Sequence, residues 1–176
     1  GKPGGVIRFL EDRNDDGRYD HSTVFLSGLN FPSGVMAWGK GVLVSAAPDI
    51  LYAEDTDGNG KADLRKVLFT GFREGNQQHR MNGFVLGLEN WIYAANGDSG
   101  GMIKSTATGK VVNINGRDFR FKVTGEMQTL FNQTQFGLHR DDWGNWFGNN
   151  NPNWLWHIHL PLHCVTRNPH LVVKDT

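Results

Sequence analysis

The stretch Asp12-Arg13-Asn14-Asp15-Asp16-Gly17-Arg18-Tyr19-Asp20 returns 43 residues later as Asp55-Thr56-Asp57-Gly58-Asn59-Gly60-Lys61-Ala62-Asp63. Its flanks return with it. Ile7-Arg8-Phe9-Leu10-Glu11 matches Ile50-Leu51-Tyr52-Ala53-Glu54, and Val24-Phe25-Leu26-Ser27-Gly28-Leu29 matches Val67-Leu68-Phe69-Thr70-Gly71-Phe72. Three segments agreeing at one offset define a repeat. A repeat restricts the fold more tightly than composition does, because each unit has to pack on the next in the same way.

Within each unit a second series recurs. Gly34-Val35-Met36-Ala37-Trp38 leads to Gly41-Val42-Leu43-Val44-Ser45, Gly83-Phe84-Val85-Leu86-Gly87 leads to Asn90-Trp91-Ile92-Tyr93-Ala94, and Gly137-Leu138-His139-Arg140 leads to Asn145-Trp146-Phe147-Gly148. Each reads as strand, tight turn, strand. No stretch shows an amphipathic helical period. The 23 glycines and 11 phenylalanines suit short strands joined by tight turns around an aromatic interior. A period near 43 residues with about four strands per unit predicts an all-β fold of the β-propeller type, with three to four four-stranded blades in residues 1–176. Because the chain opens directly into a strand at Val6 and stops soon after another at Leu171-Val172-Val173, it reads as a fragment of a longer chain and one partial propeller domain.

Charge narrows the function classes. Eighteen basic residues balance eighteen acidic ones, which speaks against nucleic acid or an anionic membrane surface as the partner. The single cysteine, Cys164, rules out an internal disulfide, and there is no CxxCH. No apolar run approaches the roughly 20 residues of a transmembrane segment.

The two acidic loops place oxygen-bearing side chains at alternate positions: Asp12, Asn14, Asp16 and Asp20 in the first, Asp55, Asp57, Asn59 and Asp63 in the second. Ca²⁺ takes such a series in an EF-hand-like loop, so these eight are the candidate metal ligands. Thr23 and Lys66 stand where a bidentate Glu would close the shell, and the flanks are strands rather than helices. The same residues also suit hairpin turns in which Asp and Asn bond their own backbone.

Between Phe72 and the strand at Phe84 the second unit carries an insertion, Arg73 to Gly83, where the first has only Asn30-Phe31-Pro32-Ser33. Polar residues inserted before the innermost strand of a blade face the central channel, which makes the segment from Asn76 to Gly101 the candidate site. His79 is its most chemically capable residue, since an imidazole with an unperturbed pKa near 6.5 suits proton removal at neutral pH. Asp98 is either a turn residue at a strand end or a channel-lining one, and Arg140-Asp141, at the corresponding blade position, reads more as a charged hairpin turn than as a pair presented to the channel.

The run from His79 through Asn82-Gly83, Leu86-Gly87 and Ile92-Tyr93 to Gly97-Asp98 resembles the pattern of soluble sugar dehydrogenases that depend on pyrroloquinoline quinone (PQQ). Almost the whole chain is similar to the propeller of membrane-bound dehydrogenases of the planctomycete type. The shared motifs are the acidic repeats, Gly75–Arg80, Ala95–Gly101, Gly116–Phe121 and Asp141–Asn149. The resemblance implies a six-bladed propeller in an extracytoplasmic setting, periplasmic or membrane-associated, with a c-type haem domain elsewhere in longer members. It implies an oxidoreductase acting on a sugar or related alcohol, with His79 as catalytic base and hydride passing to a quinone polarised by Ca²⁺. Gln78, Arg80, Asn82, Asp98 and Arg140 are the residues expected to contact that cofactor. Two departures stand out. Gln78 replaces the usual Asp before the base, and Gln133-Thr134 replaces an Arg-Asn pair that contacts the quinone. They keep open an alternative, a non-catalytic, calcium-stabilised propeller that binds carbohydrate or a partner protein.

Farther on, His157 and His159 share one strand face, with His163 and Cys164 following, and a polar strand face accounts for them better than zinc. Trp143, Trp146, Trp154 and Trp156 read as packing residues.

Overall fold

The computed structural model describes residues 3–159 together with Cys164, Arg167 and His170; His163 and the strand expected at 171–173 lie outside them. Residues 3–159 are all-β, with fifteen strands in four antiparallel sheets and one short 3₁₀ turn, Gln77–His79.

The repeat appears directly in the strands. Sheet one pairs β1 (Gly5–Glu11) with β2 (His21–Leu29). Sheet two begins with β3 (Gly34–Trp38), β4 (Gly41–Ala46), β5 (Asp49–Glu54) and β6 (Leu64–Phe72) as a meander. Trp38 faces Gly41 across a two-residue turn whose first residue, Gly39, has φ +58°, a conformation open to glycine at little cost. The acidic loop 12–20 joins β1 to β2, and the acidic loop 55–63 joins β5 to β6. The second loop packs on the preceding sheet, where the Ala62 amide bonds the Phe25 carbonyl at 2.7 Å.

Sheet three consists of β7 (Asn82–Leu86), β8 (Ile92–Ala95), β11 (Phe119–Phe121) and β12 (Met127–Thr129). Between β8 and β11 the chain leaves this sheet to form a hairpin, β9 (Gly101–Ser105) and β10 (Val111–Asn113). The hairpin pairs with β6 and extends sheet two to six strands. Sequence reading did not find this hairpin. Sheet four contains β13 (His139–Arg140), β14 (Trp146–Gly148) and β15 (Trp156–Ile158).

Successive sheets pack face to face, which explains why β4 and β5 are apolar at consecutive rather than alternate positions. Leu43 and Ile50 point into a core shared with sheet three, together with Phe69, Phe72, Ile92, Phe119 and Phe121. Their neighbours Val44 and Leu51 point the other way, into a second core with Leu26 and Leu29 of sheet one. Side chains alternate along a strand, so both faces of sheet two are covered and both need apolar residues. Phe69 and Phe84 each meet the Phe121 ring edge-on, with centroids 5.4 and 5.5 Å apart. Burying a phenylalanine this way contributes about 1.5–3 kcal/mol.

The first strands of sheets two, three and four converge. A Cβ on Gly83 would lie 2.6 Å from the Gly137 Cα, and one on Gly34 would lie 3.7 Å from the Gly83 nitrogen. Polar side chains tie the entries together: Ser33 donates its hydroxyl to the Met81 carbonyl at 2.6 Å, and the Gly137 amide donates to Asn82 Oδ1 at 2.6 Å.

Candidate functional site at the converging strand entries

His79 ends the 3₁₀ turn Gln77–His79. The Asn76 side chain caps that turn by accepting the Gln78 amide at 3.1 Å. The His79 carbonyl accepts the Ser99 amide at 3.0 Å, which draws the turn against the loop that follows β8. Gly97, at the tip of that loop, has φ +71°, and a Cβ there would meet the Arg80 carbonyl at 2.1 Å. Only glycine allows this approach. Asp98 follows, itself in the left-handed region at φ +77°, and turns its carboxylate toward the imidazole.

The resulting constellation has four members. His79 Nδ1 lies 3.4 Å from Asp98 Oδ2, and each side chain keeps about a third of its surface exposed, 33% and 30%. Gln133 Nε2 donates to Asp98 Oδ1 at 2.7 Å. Gln135 Nε2 lies 3.3 Å from His79 Nε2. Because Gln135 Oε1 already accepts the Asn151 amide at 3.1 Å, the nitrogen of its carboxamide is the atom facing the ring. That network assigns the tautomer. Donation from Gln135 to Nε2 corresponds to the tautomer with its proton on Nδ1, the nitrogen that faces Asp98, and makes Nε2 the acceptor. The carboxylate partner that Gln78 does not supply from the neighbouring position in sequence is thus supplied by Asp98 across the loop.

The other residues expected near the cofactor are placed differently. Gln78 is exposed. Asn82 donates to the Arg80 and Gln135 carbonyls, both at 2.9 Å, so it joins sheet entries rather than facing outward. Arg80 is buried; its Nε bonds the Glu74 carbonyl at 2.9 Å, and its guanidinium lies 5.4 Å from the Phe31 ring centroid. Arg140 bonds the Asp141 carbonyl at 2.9 Å, and its buried Nε has no hydrogen-bond partner. Neither guanidinium is directed at His79.

The acidic loops lie away from this site. In each, the carboxylates curl inward to accept the loop's own amides. Asp12 Oδ2 takes Gly17 at 2.8 Å, Asp16 Oδ1 takes Arg18 at 2.9 Å, and Asp20 Oδ1 takes Arg13 at 3.0 Å. Asn14 Oδ1 takes the Asp16 amide at 3.1 Å. In the second loop Asp55 Oδ2 takes Gly60 at 2.7 Å, Asp57 Oδ1 takes Asn59 at 3.1 Å, Asn59 Oδ1 takes Lys61 at 2.9 Å, and Asp63 Oδ1 takes Thr56 at 2.8 Å. The Gly60 amide holds the Asp55 carboxyl below its ordinary range, and the Thr56 hydroxyl does the same for Asp63. Among the described residues no three His, Cys, Asp or Glu side chains converge as a metal-binding group. The side-chain oxygens in each loop are those of carboxylates and one Asn. Such an all-oxygen set suits a hard cation.

A cavity of about 890 Å³ opens between sheets three and four, lined by Trp91, Tyr93, Arg120 and Trp146, and does not include His79. Tyr93 stacks on Trp146 at 3.9 Å, and burial pushes its hydroxyl pKa up to about 12. Trp146 therefore packs as expected, whereas Trp143 and Trp154 stand 86% and 88% exposed. His157 and His159 lie side by side, ring centroids 4.3 Å apart, with His157 stacked on Phe147.

The fold and the site together define an all-β domain of packed antiparallel sheets with a histidine–carboxylate pair at the strand entries. The chain belongs to the family described as a domain of unknown function, DUF7133, whose model matches residues 1–176. No curated protein and no solved structure matches it.

Proposed function

We propose that this chain is an arc of a β-propeller in which His79 acts as the general base of a dehydrogenase-type site, taking the hydroxyl proton of a sugar or related alcohol. The observation that carries this is the pair itself: Nδ1 faces Asp98 at 3.4 Å, leaving Nε2 as the basic nitrogen. The 3.3 Å contact from Gln135 is at the long end for a hydrogen bond, and a substrate hydroxyl donating to Nε2 would replace it. Asp98 then stabilises the imidazolium, and Gln133 holds Asp98 in place. The propeller reading is supported by the 43-residue repeat and by the convergence of Gly34, Gly83 and Gly137 at the first strands.

The described residues do not fit PQQ. That group is a polyanion, and what faces His79 is one carboxylate and two neutral carboxamides, with Arg80 and Arg140 bonded elsewhere. The reading is therefore confined, for this chain's residues, to proton removal at Nε2, and the hydride leaving the carbinol carbon passes to a separate two-electron acceptor without PQQ's negative charge, such as an uncharged quinone. The same observation favours a second reading, a non-catalytic, calcium-stabilised propeller that binds carbohydrate or a partner protein. Dye reduction across a panel of aldoses, with Ca²⁺ and an uncharged quinone supplied as hydride acceptor, separates the two. On the first reading, turnover occurs and His79→Ala lowers it about 10²–10⁴-fold. Turnover that survives His79→Ala sinks the base. Saccharide binding without turnover, unchanged in His79→Ala, selects the second reading.

A further inference from the structure

Asp118, just before β11, is 0% exposed, and its carboxylate hydrogen-bonds to Asn96, Asn132 and Thr134 rather than to His79 or Asp98. Its carboxylate nonetheless meets both loops that surround the imidazole. Oδ1 accepts the Asn96 amide at 2.8 Å and the Thr134 amide at 2.9 Å, and Oδ2 accepts from Asn132 Nδ2. Asn96 begins the loop that carries Asp98. Asn132 and Thr134 flank Gln133 and precede Gln135. The backbone of the same residue fixes the second segment further, for the Asp118 amide bonds the Asn132 carbonyl at 2.6 Å, and the Leu130 amide bonds the Asp118 carbonyl at 2.7 Å. The two loops also join each other, Gly97 amide to Thr134 carbonyl at 3.0 Å. Asn96 completes the frame by donating to the Ile114 and Arg117 carbonyls and accepting the Gly100 amide.

We propose that Asp118 is a positioning residue for His79: its buried carboxylate joins the Asp98 loop to the Gln133–Gln135 segment and thereby sets the imidazole tautomer. The physical basis is geometric. One oxygen receives two amides from segments 38 residues apart, Asn96 and Thr134. A buried acceptor with several donors is costly to remove, because each donor is then left unpaired. Asp118→Asn keeps the volume but turns one acceptor oxygen into a donor that faces other donors. The Asn96 and Thr134 amides keep one oxygen, but Asn132 Nδ2 then faces an NH₂ group, so the segment 132–135 shifts and Gln133 and Gln135 lose their spacing about Asp98 and the ring.

The inference rests on the reading of His79 as a base held by Asp98, and its test needs no substrate. Long-range ¹⁵N–¹H NMR of the imidazole reads the tautomer directly. In the wild-type chain the pyrrole-type resonance is expected on Nδ1; in Asp118→Asn it is lost there and gained on Nε2, the position that free histidine favours. Asp98→Asn is expected to do the same, and Asn132→Ala, which removes one donor to Asp118, to do so partially. Asn132→Ala also serves if Asp118→Asn does not fold. If Asp98→Asn shifts the tautomer but neither Asp118→Asn nor Asn132→Ala does, Asp118 has no positioning role and the His79–Asp98 pair stands. If none of the three shifts it, the pair and the role of Asp118 fall together.

Discussion

Asp118 is also where pH should register in stability. Burial is the main cause that lifts its carboxyl from 3.8 to about 7, opposed by the amides of Asn96 and Thr134. A carboxyl raised on folding binds more protons folded than unfolded between those two values, so its contribution to stability is complete below pH 3.8 and is lost as pH rises toward 7. The urea midpoint is therefore expected to fall across that interval, and Asp118→Asn to flatten the fall. A wild-type midpoint that stays level or rises there would contradict the burial account. Sequence reading passed over Asp118, which sits inside a recognised motif but has no pattern that marks a buried carboxylate. It did find His79 and Asp98. It did not foresee that they would face each other, because their contact depends on Gly97 letting one backbone pass over another. Nor could it tell that Arg80 would turn inward to Phe31 and the Glu74 carbonyl, since a loop arginine looks the same in sequence whichever way it points.

At the scale of elements, β1 to β8 were legible because repetition marks them twice. The acidic loops were equally legible, and their spacing has two consequences in one geometry. The inward turn of Asp12, Asp16, Asp55 and Asp57 satisfies backbone amides, and it also gathers oxygen atoms on the inside of each loop. A Ca²⁺ ion taken up there would stabilise the folded chain by mass action. Thermal melts are expected to show a lower Tm in chelator than in millimolar Ca²⁺, with the difference reduced in Asp55→Ala. An unchanged Tm would assign both loops to side-chain-capped turns alone. The β9–β10 hairpin escaped notice for a definite reason. It interrupts the repeat, and β9 alternates buried and exposed residues over only five positions, too short to stand out beside Gly100-Gly101.

For the molecule as a whole, what organises the described residues is the meeting of three sheets at Gly34, Gly83 and Gly137. Gly83 has φ +66° and no room for a Cβ against Gly137, so Gly83→Ala should push sheets three and four apart. The expected loss is about 1–3 kcal/mol, the usual cost of overpacking, read as a lower midpoint in urea. An unchanged midpoint would mean that the strand entries are not closely packed. Cores on both faces of sheet two tell the same story, since Leu43 and Val44 cannot both be buried unless neighbouring sheets cover the two faces.

The hairpin Gly101–Asn113 has a consequence for inheritance. It is written inside the third sheet's stretch of sequence, yet its hydrogen bonds complete the second. Duplicating or deleting a single repeat at this point would strand the outer edge of one sheet and carry its cover into another context. The exchangeable module here is therefore the pair of sheets, and one period of the repeat is too small a parcel to move.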